Sequence, residues 1–189
     1  MPLTAVAIYE DGKRYVVDIT LLPSPKAKLS DVKIVCRECG CDMFIRQSLA
    51  VRPHFVHNTR SGGTKKCSMS DGGESETHRT CKVAVRDFLR KQTIYQGCKF
   101  DFERPLGEDR RCDLHVEFPD GFCEVHEVQV SPVSLDNIKE RSLDYERMGL
   151  SVFWWLAERV ATEDVKQWLF DRYGQFGNLE TRIQPMRVD

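Results

Sequence analysis

The chain has 189 residues, of which 41% are hydrophobic and 30% charged, and its net charge is −1. That suits one ordinary domain, or a compact domain with a small module, and it excludes a bulk electrostatic pull toward nucleic acid, so any such site must be a local patch. No apolar run is long enough to span a bilayer and no export signal opens the chain, which makes the cytoplasm the expected compartment.

The first elements are two short strands, 3–9 and 14–20, around Glu10-Asp11-Gly12-Lys13. Pro23 and Pro25 end that hairpin, and Lys26 to Asp31 reads as an exposed connection. Ile34 and Val35 then lead into Cys36-Arg37-Glu38-Cys39-Gly40, a knuckle whose glycine suits a tight turn with backbone N–H groups facing thiolate sulfur. In a reducing compartment the eight cysteines are expected as metal ligands or buried thiols rather than disulfides. Cys36, Cys39, His57 and Cys67 form a candidate Cys₃His set for a closed, structural zinc site. His54 and His57 have opposite parity on a strand, so both ligate only if the strand ends between them; His54 is the substitute ligand and Cys41 a weaker one. The alternative is a knuckle of unmetallated thiols. Cys81, Cys98, Cys112 and Cys123 fall inside regular elements and are expected to pack.

Thr59 to Gly73 holds two Gly-Gly pairs and several serines, and marks the boundary of a metal module spanning 1–72. A helix is predicted from Glu74 to Lys91, with a core stripe of Cys81, Ala84, Val85, Phe88 and Leu89. Glu74, His78 and Lys82 stand at i, i+4 and i+8, a file along that stripe's edge. Arg52, Arg60, Lys65, Lys66, Arg79, Arg86, Arg90 and Lys91 give this half a local basic excess of the kind a phosphate backbone requires, although charged helix faces are more often merely solvated. Gly97 to Glu103 alternates as a strand with Cys98, Phe100 and Phe102 inward.

Arg110 to Ser131 organises the second half of the chain. Two alternating arms, RRCDLHVEF and FCEVHEVQVS, flank Pro119-Asp120-Gly121 and predict a hairpin. With Gly121 left-handed in a three-residue loop, Phe118 pairs with Phe122 and Asp113 falls opposite Glu127, with Arg111 opposite Gln129. Directly opposed side chains are about 4.5–5.5 Å apart at Cβ, and like charges there repel, so two such carboxylates call for a cation. The readings are a divalent-metal site with Gln129 beside it, or a solvated face balanced by nearby arginines. Beyond the hairpin, Ser134 caps a helix running to Met148 and ended by Gly149, with Leu135, Ile138, Ser142 and Tyr145 on one side and Arg141 near it. Ser151 to Ala157 reads as a buried strand. Thr162 caps a final helix ended by Gly174, with Val165, Trp168 and Leu169 inward. The tail has no clear pattern.

From Glu74 the order is α-β-β-β-α-β, with acids on an antiparallel hairpin and a crossover helix before the last strand. That order resembles the PD-(D/E)XK nuclease core and, more narrowly, the competence protein CoiA-like nuclease family. The matching residues are Cys36-x-x-Cys39-Gly40, His54-Phe55-Val56-His57, Glu74-Ser75-x-x-His78-x-x-x-Lys82, Arg111-Cys112-Asp113, Glu127-Val128-Gln129-Val130-Ser131 and Arg141-x-x-x-Tyr145-x-x-x-Gly149. The fold class this implies is α/β (α+β): an αβββαβ core at 73–175, a small β-rich zinc-ribbon-like module at 1–72 and a tail at 176–189. It implies metal-dependent hydrolysis of DNA phosphodiesters, serving DNA processing, recombination or defence. Asp113, Glu127 and the Val128 carbonyl would hold Mg²⁺ or Mn²⁺, for which hard oxygen ligands are suited. Gln129, Glu74, His78 and Lys82 complete the catalytic set. Gln129 stands where the superfamily usually has lysine; it can orient a water but carries no charge, and Lys82 is the expected substitute. DNA, single-stranded and branched forms included, is the implied partner, contacted through Lys65, Lys66, Arg86, Arg90, Arg111 and Arg141; a homodimer or protein partner stays open and no membrane contact is expected. Two other readings compete: a catalytically silent DNA-binding accessory of recombination or competence, and a zinc-stabilised interaction module.

Overall fold

The computed structural model describes residues 2–48, 51–58, 67, 74–107, 110–158 and 160–179. It divides into two compact units, Met1–Arg79 with Pro105–Arg110 and Thr80–Arg104 with Arg111–Asp189. Among the described residues no helix is long and apolar enough to cross a membrane.

In the first unit, β1 (Thr4–Ile8) pairs antiparallel with β2 (Arg14–Asp18) on one side and β3 (Lys33–Val35) on the other. The expected hairpin turn is there, with Gly12 at φ 77°. A 3₁₀ turn comes next (Ile19–Leu21). Then α1 (Pro25–Lys28), a single helical turn begun by proline, opens the exposed connection the sequence suggested. A second ribbon joins β4 (Met43–Ser48) to β5 (Val51–His57), with Met43 opposite His57 and Arg46 opposite His54. Leu3, Ala5, Ala7 and Phe55 are buried between these strands. The core is small, as expected of a module that needs a further source of stability.

α2 (Glu76–Leu89) gives its first turn to the first unit and the rest to the second. β6 (Lys99–Phe102) comes next; the two-residue strands β7 (Pro105–Leu106) and β8 (Arg110–Arg111) pair with each other. β9 (Leu114–Glu117), β10 (Cys123–Gln129), α3 (Leu135–Arg147), β11 (Ser151–Ala157), α4 (Glu163–Tyr173) and β12 (Gly177–Leu179) complete the second unit. Its sheet runs β12-β11-β10-β9-β6. The β9–β10 and β6–β9 pairs are antiparallel, and the β10–β11 and β11–β12 pairs parallel. A mixed sheet arises because a tight turn can return a strand only antiparallel, whereas the α3 crossover returns it parallel.

Helices cover both faces of this sheet. Successive strand residues point to opposite sides. On one side Trp154 Nε1 donates to Ser142 Oγ of α3 at 3.0 Å; on the other, Trp155 meets Phe88 of α2 edge-on at 5.8 Å. Covering on both faces explains why Leu114, His115 and Val116 are all buried, where simple alternation predicted one wet face.

Two expectations fail here for physical reasons. The buried side of α2 is not the apolar stripe read from periodicity. Val83, Val85 and Leu89 are buried, but so are Arg79, Lys82 and Arg86, while Ala84 is exposed. The cations are tolerated because each meets a partner: Lys82 Nζ lies 2.6 Å from Glu103 Oε1, Arg86 spans Asp87 and the Phe102 ring, and Arg79 pairs with Glu76 and donates to the Glu74 carbonyl. The tail, which lacks a sequence pattern, supplies β12. A Cβ on Gly177 would stand 2.1 Å from a Trp155 ring carbon, so the strand can lie there only with glycine.

Candidate active site and metal-binding cluster

The hairpin has the register its turn demands. Phe118 N donates to the Phe122 carbonyl at 2.8 Å, Gly121 takes φ 88°, and Leu114 stands opposite His126. One step further brings Asp113 to Glu127. The chain bends at Cys112 and Asp113, so these residues lie outside the ladder. The Glu103 N–H donates to the Asp113 carbonyl at 3.1 Å, the Cys112 N–H donates to the Arg104 carbonyl at 3.2 Å, and the Val128 N–H donates to Asp113 Oδ2 at 2.9 Å. The Asp113 carboxylate is therefore aimed by the β10 backbone, while its own carbonyl is held by the residue that follows β6.

Glu127 is completely buried. Arg141 binds one of its carboxylate oxygens and the Tyr145 hydroxyl donates to the other. Burial raises the Glu127 carboxyl to about 7; Arg141 and Tyr145 oppose that rise, and the adjacent Asp113 adds to it. The Cys112 thiol is pushed well up by burial, then by Glu127 and Asp113. Arg141 also lies over the Trp154 ring, 4.9 Å from its centre. Arg141 and Tyr145 are one helical turn apart, so both side chains leave the same face of α3. That spacing is visible in the sequence; that Glu127 is its target is not.

The remaining assigned residues fall out differently. Gln129 Nε2 donates to the Ser131 carbonyl at 2.6 Å, which leaves the Gln129 carbonyl as its acceptor. Lys82, the expected substitute cation, is buried in its pair with Glu103. Sequence reasoning misses Glu103, because nothing in its sequence neighbourhood marks it. It is 2% exposed and holds φ 55°, a left-handed conformation rare for a residue with a Cβ. Glu74 and His78 form a contact within the first unit, Oε1 to Nδ1 at 2.7 Å. Of the residues assigned to DNA, Arg90 is exposed and Arg111 half-buried, while Lys65 and Lys66 lie outside the described residues. Arg86 is buried against Phe102 and Asp87, and Arg141, half-buried, pairs with Glu127.

The chemistry of the two carboxylates and the Val128 carbonyl suits a hard divalent cation, and their mutual repulsion supplies a reason to bind one. Such an ion would share Glu127 with Arg141 and Tyr145.

The cysteines converge in the first unit. The ligand atoms of Cys36, Cys39, His57 and Cys67 all lie within 4.8 Å of one another. Cys36 Sγ is 3.7 Å from Cys67 Sγ, and Cys39 Sγ is 3.3 Å from His57 Nε2. Tetrahedral zinc with bonds of about 2.0–2.3 Å separates its ligands by about 3.5–3.8 Å, so the set is close to a metal-ready arrangement. Gly40 at φ 72° and the Glu38 N–H, 3.4 Å from Cys36 Sγ, form the expected knuckle. His57 is held below its ordinary pKa by burial, in the neutral form that ligates. His54 lies on the other parity, fully buried, with Nδ1 donating to the Arg52 carbonyl at 2.8 Å. Cys41 Sγ contacts the Cys39 carbonyl.

Residues 74–176 match the family of the competence protein CoiA nuclease-like domain. No curated protein matches the chain. Among solved structures, an EndoMS–dsDNA2 complex is 15% identical with a TM-score of 0.37, covering 96% of this chain and 85% of its own. A repair endonuclease from Pyrococcus abyssi is 16% identical with a TM-score of 0.39, covering 95% of this chain and 86% of its own.

Proposed function

The chain belongs to the competence protein CoiA nuclease-like family, and from that premise we propose that it is a metal-dependent DNA nuclease of PD-(D/E)XK type hydrolysing phosphodiester bonds. The observation that supports this reading is the pair Asp113 and Glu127, one aimed by the Val128 N–H and the other held between Arg141 and Tyr145. Asp113, Glu127 and the Val128 carbonyl would hold Mg²⁺ or Mn²⁺, which when bound would polarise the phosphate and acidify a coordinated water. Arg141 keeps positive charge beside Glu127 and draws its carboxyl toward the ionised form. Tyr145 fixes the carboxylate's orientation, and the Gln129 side-chain carbonyl can accept a hydrogen bond from an attacking water and so orient it. The roles of Glu74 and His78 rest on the resemblance in sequence. The Cys36, Cys39, His57 and Cys67 cluster would bind structural zinc in the 1–72 module, and exposed basic residues such as Arg90 would contact the DNA backbone.

The test is cleavage of a DNA substrate in Mg²⁺ or Mn²⁺ by purified protein beside its Asp113→Asn variant. Cleavage by the first and not the second is expected; equal cleavage by both would remove these carboxylates from the chemistry. A silent DNA-binding protein is the second reading. It is favoured by the pairing of Lys82 with Glu103, which draws the charge of Lys82 away from the role of the lysine missing at Gln129. DNA binding without cleavage in either metal would select it.

A further inference from the structure

On the face of the sheet opposite Glu127, the second unit holds a cavity of about 390 Å³, within the usual range for small-molecule sites. Its walls are aromatic: Tyr95, Phe153 and Trp155 line it, and the Phe153 and Trp155 rings lie 4.9 Å apart. One carboxylate, Glu124, faces it from the start of β10. A chain of hydrogen bonds orients that carboxylate. Trp155 Nε1 donates to His126 Nδ1 at 3.0 Å, so the His126 proton sits on Nε2, which donates to Glu124 Oε1 at 2.9 Å. The Tyr95 hydroxyl adds a further bond. Burial pushes the Glu124 carboxyl up, but the bonds from His126 and Tyr95 bring it below its ordinary range. These bonds hold the carboxylate in place at the cavity wall.

The metal chemistry of Asp113 and Glu127 has no use for this arrangement. Among the described residues lining the cavity there is no lysine or arginine, so a phosphate has no counter-charge there. Gln92 gives one amide N–H to the Phe88 carbonyl at 3.3 Å, and its side-chain carbonyl is a second acceptor beside the remaining N–H. The complement is a flat ring that stacks on aromatic walls and presents adjacent N–H donors at its edge. Guanine does this, with a ring N–H beside an amino group. Adenine and cytosine set their amino group beside an acceptor, and thymine sets its single N–H between two carbonyls that a carboxylate repels. A quaternary ammonium could use the rings but not the oriented acceptors.

We propose that this cavity is a guanine-binding site, in which Glu124 accepts from the Watson–Crick edge and the aromatic walls take the base plane. Two sources of the base share this chemistry: a free nucleoside, or an unstacked guanine of DNA with its phosphates left outside. Binding is read without added divalent metal and in the Asp113→Asn background, so it does not depend on cleavage and can fail while the nuclease reading stands. Titration with guanosine, followed by calorimetry and tryptophan fluorescence, is expected to show saturable binding at least tenfold tighter than adenosine, cytidine or thymidine. Glu124→Gln should weaken guanosine at least tenfold. Ser151→Trp, at an exposed position lining the cavity, should block it while leaving the buried network untouched, and so keeps the test valid if Glu124→Gln fails to fold. An oligonucleotide with one unpaired guanine separates the sources. Binding tighter than guanosine that Ser151→Trp abolishes identifies DNA, and binding no tighter identifies the free nucleoside. No guanosine binding, equal binding of the four nucleosides, displacement by choline, or indifference to Ser151→Trp would overturn the proposal.

Discussion

Asp113 and Glu127 are chemically alike but stand in different settings, and their predicted behaviour differs accordingly. Asp113→Asn should abolish cleavage. In metal-free protein it should leave the melting temperature unchanged or raise it, because one of two facing carboxylates becomes neutral. Glu127 carries a pH signature. Its folded pKa is raised to about 7 from 4.5. The folded state therefore binds more protons than the unfolded chain between these values, and stability falls as pH rises through that window, then levels off. Thermal melts of metal-free protein from about pH 5 to pH 8 should show that fall, and Glu127→Gln should flatten it. A curve of unchanged slope in Glu127→Gln would mean that another group titrates there.

At the scale of elements, α2 shows why a helix cannot be read from apolar spacing alone. Lys82 and Glu103 are both buried, at 1% and 2% exposure, and each depends on the other. Lys82→Met should cost about 3–5 kcal/mol, since it removes the cation beside a buried carboxylate. Adding Glu103→Leu should recover much of that loss, measured by denaturant unfolding of the two variants. If the single and double variants lose equally, the pair is not the source. β12 supplies a second test: Gly177→Ala must move the Trp155 ring or lose the strand, so it should lower the midpoint although glycine-to-alanine changes usually help.

At the scale of the whole molecule, the first unit has little apolar core and a four-ligand cluster; the second has a covered five-stranded sheet. Metal binding should therefore supply much of the folding free energy of the first unit. Purified protein should carry one zinc per chain by elemental analysis. His57→Ala should release it, His54→Ala should keep it, and Cys36→Ser should make residues of the first unit sensitive to protease. All three tryptophans belong to the second unit, so their fluorescence follows that unit alone. DNA affinity should depend on backbone contacts: Lys65 and Lys66 changed together should flatten the salt dependence of binding.

Elements with a local cause are legible in the residues alone. The β9–β10 register follows from Gly121 in its turn, the start of α3 from Ser134, and the knuckle from Cys36, Cys39 and Gly40; each rests on residues a few positions apart. The nearness of Asp113 to Glu127 comes with the same hairpin, one step beyond its ladder. Tertiary structure decided what needed distant partners. The pairing of Arg141 with Glu127 depends on a crossover helix, and that of Lys82 with Glu103 on a residue 21 positions away. Gly177 looked like tail until the Trp155 ring required it. A charge or a glycine says only what a position tolerates. Which neighbour satisfies it depends on the packing of strands and helices remote in sequence, and no local pattern contains that.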